Sequence, residues 1–212
     1  MIQVEKFVVN PLQENSFVIF DETGESIFID PGFYFKEEQQ EIKKFIRDYQ
    51  LSPVLIANTH AHFDHVMGVE FLRKEYNIPF FLHPDDQYWI QHAVLQAEMF
   101  GFEMEAIQAP DSYFTEKENV KFGQSELSIL HIPGHSKGHV VFYAEQEKIL
   151  IAGDVLFNGS IGRTDLPGGD YHTLIKGIKN KLFLLPDETR VFCGHGPETV
   201  LGVEKNSNPF LI

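Results

Sequence analysis

The sequence predicts an α/β fold in which two β-sheets pack together and helices cover their outer sides. The main observation is that short runs of β-branched and aromatic residues alternate with amphipathic helical patterns in both halves of the chain. The boundary between the halves, near residue 115, shows only a weak change in composition. One domain over residues 1–212 is therefore expected, large enough to bury a sizeable core.

The first half alternates strands and helices around a histidine-rich segment. Ile42, Phe45, Ile46 and Tyr49 recur at helical spacing, which indicates an amphipathic helix lying on a sheet. In order, we expect strands at 2–9, 16–20 and 26–29, a helix within 33–50, a strand from Ser52 into the histidine-rich segment, a helix within 66–77, a strand at 78–83 and a helix within 85–100.

The second half repeats this mixture. We expect strands near 119–123, 126–132, 139–144 and 148–152, a helix near 170–184, a strand at 189–193 and a short C-terminal helix.

Composition and charge disfavour several classes of protein. The formal net charge of -14, without a basic patch, disfavours nucleic-acid binding. No secretory signal is expected at the N-terminus, and no apolar run is long enough for a membrane span. Cys193 is the only cysteine, so no intrachain disulfide can form and a cytoplasmic location is favoured. Cys193 itself is expected to pack within a strand.

The segment THAHFDH, residues 59–65, has the composition of a metal-binding motif. Side chains at positions i and i+2 of an extended segment point the same way, so His60 and His62 can share one cation. If the chain turns into a helix after Phe63, Asp64 and His65 lie on its first turn and face a second cation. Neither half-site is complete, because zinc takes about four ligands.

Further ligands are expected where other strands end, since loops converge at one edge of packed sheets. His135, Asp154 and His195 each follow an apolar run and a glycine. They bring the set to five histidines and two carboxylates, which is enough for two cations if one carboxylate bridges. The remaining histidines are expected to be structural or at the surface, with His139 set apart because it lies four residues after His135: His83, His92, His131, His139 and His172.

Four motifs, THAHFDH, IPGHSKGH, IAGDVLF and FCGHGPET, stand in the order typical of the metallo-β-lactamase superfamily, which the chain resembles over essentially its whole length. The resemblance implies an αββα sandwich of two mixed β-sheets flanked by helices. It implies one cation on His60, His62 and His135, another on Asp64, His65 and His195, and Asp154 as the bridge between them.

Within the superfamily, GSIGRTDLPGGD and GHGPETVLGVEKNSNPF resemble the hydroxyacylglutathione hydrolases (glyoxalase II), especially short bacterial members without the C-terminal helical domain. This implies two divalent cations, with zinc expected and iron or manganese as alternatives. The expected reaction is hydrolysis of an acyl-thiol such as S-D-lactoylglutathione by a metal-bridging hydroxide, which Asp64 orients and Asp154 helps to hold. The acyl group, the thiol and the oligomeric state are left open.

Two features near this site have alternative interpretations. Arg163 resembles, by position, a basic residue that contacts glutathione in the family, and it is equally suited to an ion pair with Asp165 or Asp170. Residues 85–118 are aromatic and acidic, and they form either a lid over the pocket or a side of the fold.

The main alternative function is a persulfide dioxygenase with one iron on His60, His135 and Asp154. The presence of Asp64, His65 and His195 favours the binuclear hydrolase over it. Lactone and phosphodiester hydrolysis are further alternatives, and the acidic charge counts against phosphodiesters. β-Lactamases are disfavoured because they lack the bridging aspartate, and flavodiiron proteins because they have glutamate where this chain has His62. A non-catalytic binding protein would not need the full ligand set.

Overall fold

The computed structural model describes residues 1–212, and two six-stranded β-sheets lie at its centre. In the first sheet the strands lie side by side in chain order. The second strand is antiparallel to the first and to the third, and the third to sixth strands are parallel. The strands are β1 (Gln3–Val9), β2 (Glu14–Phe20), β3 (Glu25–Ile29), β4 (Ser52–Ala57), β5 (Phe80–Leu82) and β6 (Ser112–Tyr113).

The second sheet is also mixed, and a two-stranded hairpin of β11 (Leu156–Phe157) and β12 (Ser160–Ile161) lies apart from it. Its strands are β7 (Val120–Phe122), β8 (Ser125–His131), β9 (Val140–Ala144), β10 (Ile149–Gly153), β13 (Arg190–Cys193) and β14 (Thr199–Val200). The order across the sheet is β14-β13-β10-β9-β8-β7. Only β10 and β13 are parallel, so both end at the same edge.

Helices cover both outer faces, which gives the predicted αββα sandwich. The first sheet carries α1 (Lys36–Asp48), α2 (Val69–Tyr76) and α3 (Gln87–Met99), whose apolar residues share a cluster with that sheet. The second carries α4 (Tyr171–Asn180) and α5 (Leu201–Ser207) in the same way. None of these helices is both long enough and apolar enough to cross a lipid bilayer.

Side chains that point to alternate faces of the strands produce these layers. On β2, Phe17 and Ile19 belong to the cluster between the sheets, whereas Val18 and Phe20 belong to the cluster under the helices of the first sheet. Neighbouring side chains of a strand point to opposite faces, so a continuous apolar run covers both sides of the sheet.

All helices and longer strands predicted from the sequence are confirmed, with boundaries shifted by a few residues. One local prediction was wrong. Asp64 and His65 do not lie on the first turn of a helix, because Phe63–His65 forms a separate 3-10 turn and α2 begins only at Val69. Cys193 packs in a strand as expected: it is buried, and burial raises the pKa of its thiol to about 12.

Candidate metal centre

The predicted ligand residues lie together at one edge of the sandwich. The segment from His60 to His65 follows β4 of the first sheet. Asp154 and His195 follow the parallel strands β10 and β13 of the second sheet, and His135 lies in the loop after β8. Because these strand ends meet at the same edge, segments up to 135 residues apart in the chain converge on one place.

The first cluster consists of His60, His62 and His135, and all three side chains are buried. The ligand atoms of the three residues lie within 4.8 Å of one another. Nε2 of His60 is 3.3 Å from Nε2 of His135, a close approach of two ring nitrogens. The side chains are thus arranged as three donors to one point.

The second cluster consists of Asp64, His65 and His195, again with ligand atoms within 4.8 Å. Oδ2 of Asp64 lies 3.3 Å from Nε2 of His195 and 3.8 Å from Nε2 of His65. His65 is fully buried, whereas His195 is 28% exposed, so this cluster is the more open of the two.

Asp154 lies between the two clusters. Its Oδ2 atom is 3.6 Å from Nε2 of His135, in the first cluster, and 3.8 Å from Nε2 of His195, in the second. Its Oδ1 atom is 3.5 Å from Nε2 of His65. The carboxylate therefore faces both clusters at once.

Hydrogen bonds behind His60 and His65 fix which ring nitrogen faces the centre. The Thr59 hydroxyl donates to Oδ2 of Asp30 (2.6 Å), so its oxygen accepts from Nδ1–H of His60 (3.0 Å). Nδ1 of His65 faces Oδ2 of Asp30 at 3.2 Å and therefore carries a hydrogen. In the neutral form of both rings, Nε2 is therefore the unprotonated nitrogen, and it faces the centre.

Backbone carbonyls orient two further histidines in the same way. Nδ1–H of His135 donates to the carbonyl oxygen of Arg163 at 2.8 Å. Nδ1–H of His195 donates to that of Leu12 at 3.2 Å. A carbonyl can only accept, so in the neutral form of each ring Nε2 is the unprotonated nitrogen and is available as a ligand.

Burial and charge shift the pKa values of these groups in different directions. Burial lowers the pKa of His60, His62 and His135, which keeps these imidazoles neutral. Burial opposes ionisation of Asp154. The interactions of its carboxylate with His65, His195 and His135 outweigh burial and hold the pKa of Asp154 below its usual range.

The pKa values of His65 and His195 are raised. Burial alone would lower both values. The nearby carboxylates of Asp64 and Asp154 outweigh burial at both histidines because they attract a protonated ring. These carboxylates favour positive charge at the second cluster. A bound cation would supply that charge in place of the protons on His65 and His195.

The donor set fits divalent metal ions. Nε2 of His62, Nε2 of His65 and Oδ1 of Asp154 are buried without a hydrogen-bond partner, which is rare for polar atoms in proteins. Gly194 lies against Asp154: a Cβ at Gly194 would stand 2.2 Å from Oδ1. Imidazole nitrogens and carboxylate oxygens in this number suit zinc, iron or manganese.

Two buried residues outside the ligand set support the centre, and sequence reasoning missed one of them, Asp30. Asp30 is fully buried and accepts the backbone N–H and hydroxyl of Thr59 as well as facing His65. His139 was expected to be structural, and it is: its Nε2 atom accepts the backbone N–H of Asp154 at 3.0 Å. Asp30 also follows an apolar strand, but no glycine precedes it, so it lacks the full strand-end pattern that identified His135, Asp154 and His195.

The other four histidines lie away from the two clusters. His172 is exposed and His92 is half-buried, while the rings of His83 and His131 stack on each other with centroids 4.2 Å apart. These positions agree with the expected structural or surface roles.

A pocket of about 450 Å³ opens over the two clusters. Apolar side chains form much of its wall: Leu12, Phe63, Phe100, Phe157, Ile161 and Leu166. Arg163 also lines the pocket, but its Nε and Nη2 atoms donate to Oδ1 and Oδ2 of Asp165 at 2.7 and 2.8 Å. Asp170 instead caps α4 by accepting the Thr173 N–H, so of the two predicted ion-pair partners Asp165 is the observed one.

Comparison with known proteins identifies the family. The model of the Metallo-beta-lactamase superfamily matches residues 9–195. The chain is 35% identical to "Hydroxyacylglutathione hydrolase GloC" of Haemophilus influenzae, over 99% of the chain and 98% of that protein. It is 39% identical to the solved structure of TTHA1623 in a di-iron-bound form, with a TM-score of 0.89 and coverage of 98% of this chain and 100% of that one.

A B3 metallo-β-lactamase, BLEG-1, is also similar, at 36% identity, a TM-score of 0.90 and 99% coverage of both chains. The family match, the shared fold and the His/Asp clusters agree with the motif order of the sequence. The chain therefore belongs to the metallo-β-lactamase superfamily and is a metal-dependent hydrolase of that family.

Proposed function

We propose that this protein binds two divalent cations and hydrolyses a thioester. The observation that carries the proposal is the position of Asp154, whose two oxygens face His135 on one side and His65 on the other. In this assignment His60, His62 and His135 hold the first cation, Asp64, His65 and His195 hold the second, and Asp154 bridges them.

Zinc is the cation we propose, with iron and manganese as alternatives. The donor set suits all three, and the di-iron form of the similar protein TTHA1623 supports iron as the first alternative. When bound, such cations lower the pKa of water and polarise a carbonyl group, the two requirements for hydrolysis near neutral pH.

The protein's own residues then position and shield the reaction. Asp64 lies on the pocket floor, and its Oδ2 atom, 3.3 Å from His195, is placed to orient the attacking water through a hydrogen bond. The apolar wall formed by Phe63, Phe100 and Phe157 limits access of other water to this floor.

The lining of the pocket favours a leaving group that needs no proton donor. Apart from the proposed ligands, its polar side chains are those of Gln96, Ser160 and Arg163. None of them has a pKa suited to protonating an amine at neutral pH. A thiol, with a pKa of about 8.5, departs as a thiolate without such help. The similarity to GloC supports S-D-lactoylglutathione as the first substrate to measure.

Hydrolysis of a β-lactam is a second candidate, because BLEG-1 is 36% identical across 99% of the chain. The leaving group of a β-lactam is an amine, and the lack of a proton donor in the pocket counts against it. The sequence also disfavours it, because the chain contains the bridging aspartate.

The test is metal analysis of the purified protein combined with three assays. Release of free thiol from S-D-lactoylglutathione, with two metal ions per chain, would support the proposal. Faster cleavage of a chromogenic β-lactam than of the thioester would favour the second candidate. One iron per chain with oxygen uptake on glutathione persulfide would contradict the hydrolase assignment. In the Asp64→Asn variant, which lacks the carboxylate proposed to orient water, thiol release should fall at least about 100-fold.

A further inference from the structure

The turn that precedes α3 carries a carboxylate that the ligand set does not use. Asp86 is fully buried, and three donors surround it. Its Oδ2 atom accepts the Ala61 N–H at 3.1 Å and the Ser136 hydroxyl at 2.7 Å, and its Oδ1 atom accepts the Gly138 N–H at 2.6 Å. One side chain thus connects two loops that lie 75 residues apart in the chain.

These two loops carry the first metal cluster. Ala61 lies between His60 and His62, and Ser136 directly follows His135. Nε2 of His60 and Nε2 of His135 are only 3.3 Å apart, so a small shift of either loop changes the distance between two proposed ligands. Asp86 is thus hydrogen-bonded to both of the loops that determine this distance.

The carboxylate is suited to this role in its ionised form. Burial raises the pKa of Asp86 to about 6, although hydrogen bonds from Ser136, Gly138 and Ala61 lower it. At neutral pH both oxygens are thus free to accept. The backbone of Gly138 approaches Asp86 closely, because a Cβ at Gly138 would lie 2.6 Å from the backbone nitrogen of Asp86.

The rest of α3 contacts the same histidine segment. The Trp89 ring packs edge-on against the His62 ring, with centroids 4.6 Å apart. Oε1 of Gln96 accepts the backbone N–H of Phe63 at 3.0 Å. Both Trp89 and Gln96 are buried. Residues 86–96, within the segment that the sequence suggested as a lid or a side of the fold, therefore support the metal-binding loop from behind.

We propose that Asp86 is a positioning residue that sets the spacing of His60, His62 and His135 and thereby the affinity of the first site for its cation. The proposal rests on the metal-binding half of the proposed function and does not depend on the substrate. An asparagine at this position would present an NH2 group to one of the three donors, so one hydrogen bond would become a repulsive contact.

The test measures zinc binding by Asp86→Asn, and Asp187→Asn is the control because that carboxylate is 70% exposed and belongs to none of the possible metal-ligand groups. Competition with a chromophoric chelator gives both dissociation constants in folded, metal-free protein. We expect the affinity of one site to fall about 10- to 100-fold in Asp86→Asn while the other stays unchanged. In a His195→Ala background, which removes a ligand of the second site, the same loss should appear at the site that remains.

Ser136→Ala provides a milder variant, because it removes one of the three donors and leaves both loops and the carboxylate in place. It should weaken the same site about 3- to 10-fold. Zinc binding at wild-type affinity in both Asp86→Asn and Ser136→Ala would overturn the proposal, even if the melting temperature fell, because the role would then be structural. Two tight sites in the wild type without thioester cleavage would contradict the proposed substrate and leave the role of Asp86 intact.

Discussion

The imidazole of His139 accepts the backbone N–H of Asp154 in a buried hydrogen bond of 3.0 Å. Both residues are buried, and the His139 ring also stacks on that of His60 with centroids 4.7 Å apart. A residue that is not a proposed ligand is thus in contact with a ligand of the first cluster and with the proposed bridging residue. Replacing His139 should therefore affect the metal centre first.

We therefore expect His139→Leu to weaken zinc binding. Leucine fills a similar volume but leaves the buried N–H of Asp154 without an acceptor, at a cost of about 1 to 3 kcal/mol. Zinc affinity, measured by chelator competition, should fall about tenfold or more, which corresponds to about 1.4 kcal/mol. His172→Leu, at an exposed position, is the control and should bind zinc as the wild type does.

Much of the centre was predictable because its ligands follow local rules. Residues two apart on an extended segment, such as His60 and His62, and glycine-preceded strand ends, such as that at Asp154, can be recognised without knowing the fold. The roles of Asp86 and His139 could not be recognised in this way. Their partners, Ser136 and Asp154, are 50 and 15 residues away, and only the packed sandwich brings them together.

The same limit applies to the fold. The long strands and amphipathic helices were predicted because periodicity over five or more residues indicates both their type and their buried face. The two-residue strands β6 and β14 have no such period and exist only because a neighbouring strand offers them hydrogen bonds. The 3-10 turn at Phe63–His65 is held by contacts of its neighbours, including Asn58 Nδ2 donating to the His65 carbonyl at 2.8 Å.

Asp21 should make stability depend on acid pH. It is buried just after β2 and accepts hydrogen bonds from Gln124, in the turn between β7 and β8 of the other sheet, and from Ser125, the first residue of β8. Burial opposes ionisation, but hydrogen bonds from Thr23 and from these two residues outweigh it and lower the pKa of Asp21 from 3.8 to about 2.

Because the folded pKa lies below the unfolded one, this contribution is complete above about pH 4 and is lost as pH falls towards 2. Asp21→Asn should lower the free energy of unfolding by about 2 kcal/mol at pH 7, and the difference from the wild type should shrink between pH 4 and pH 2. Urea unfolding at several pH values measures this. Asp187→Asn, which changes an exposed carboxylate, should cost under 1 kcal/mol at every pH; an equal loss in both variants would argue against the linkage.

The ion pair of Arg163 and Asp165 should limit recognition of an anionic thiol. Two donors of the guanidinium already bind the Asp165 carboxylate, which leaves fewer for a glutathione carboxylate. Asp165→Asn should therefore lower KM for S-D-lactoylglutathione about 2- to 5-fold without changing kcat. KM for the lactoyl ester of an uncharged thiol should not change. Glu188→Gln removes a carboxylate that does not line the pocket and is the control; the same KM change in this variant would point to overall charge.

The metal-to-protein ratio of Asp154→Ala tests the central assignment most directly. Asp154 is the one side chain that faces both clusters, so its removal should reduce the ratio from two in the wild type to well below one after dialysis. His195→Ala, which removes a ligand of the second cluster alone, should retain about one metal ion per chain. Retention of two tightly bound metal ions by Asp154→Ala would contradict the bridging role and with it the binuclear centre proposed for this protein.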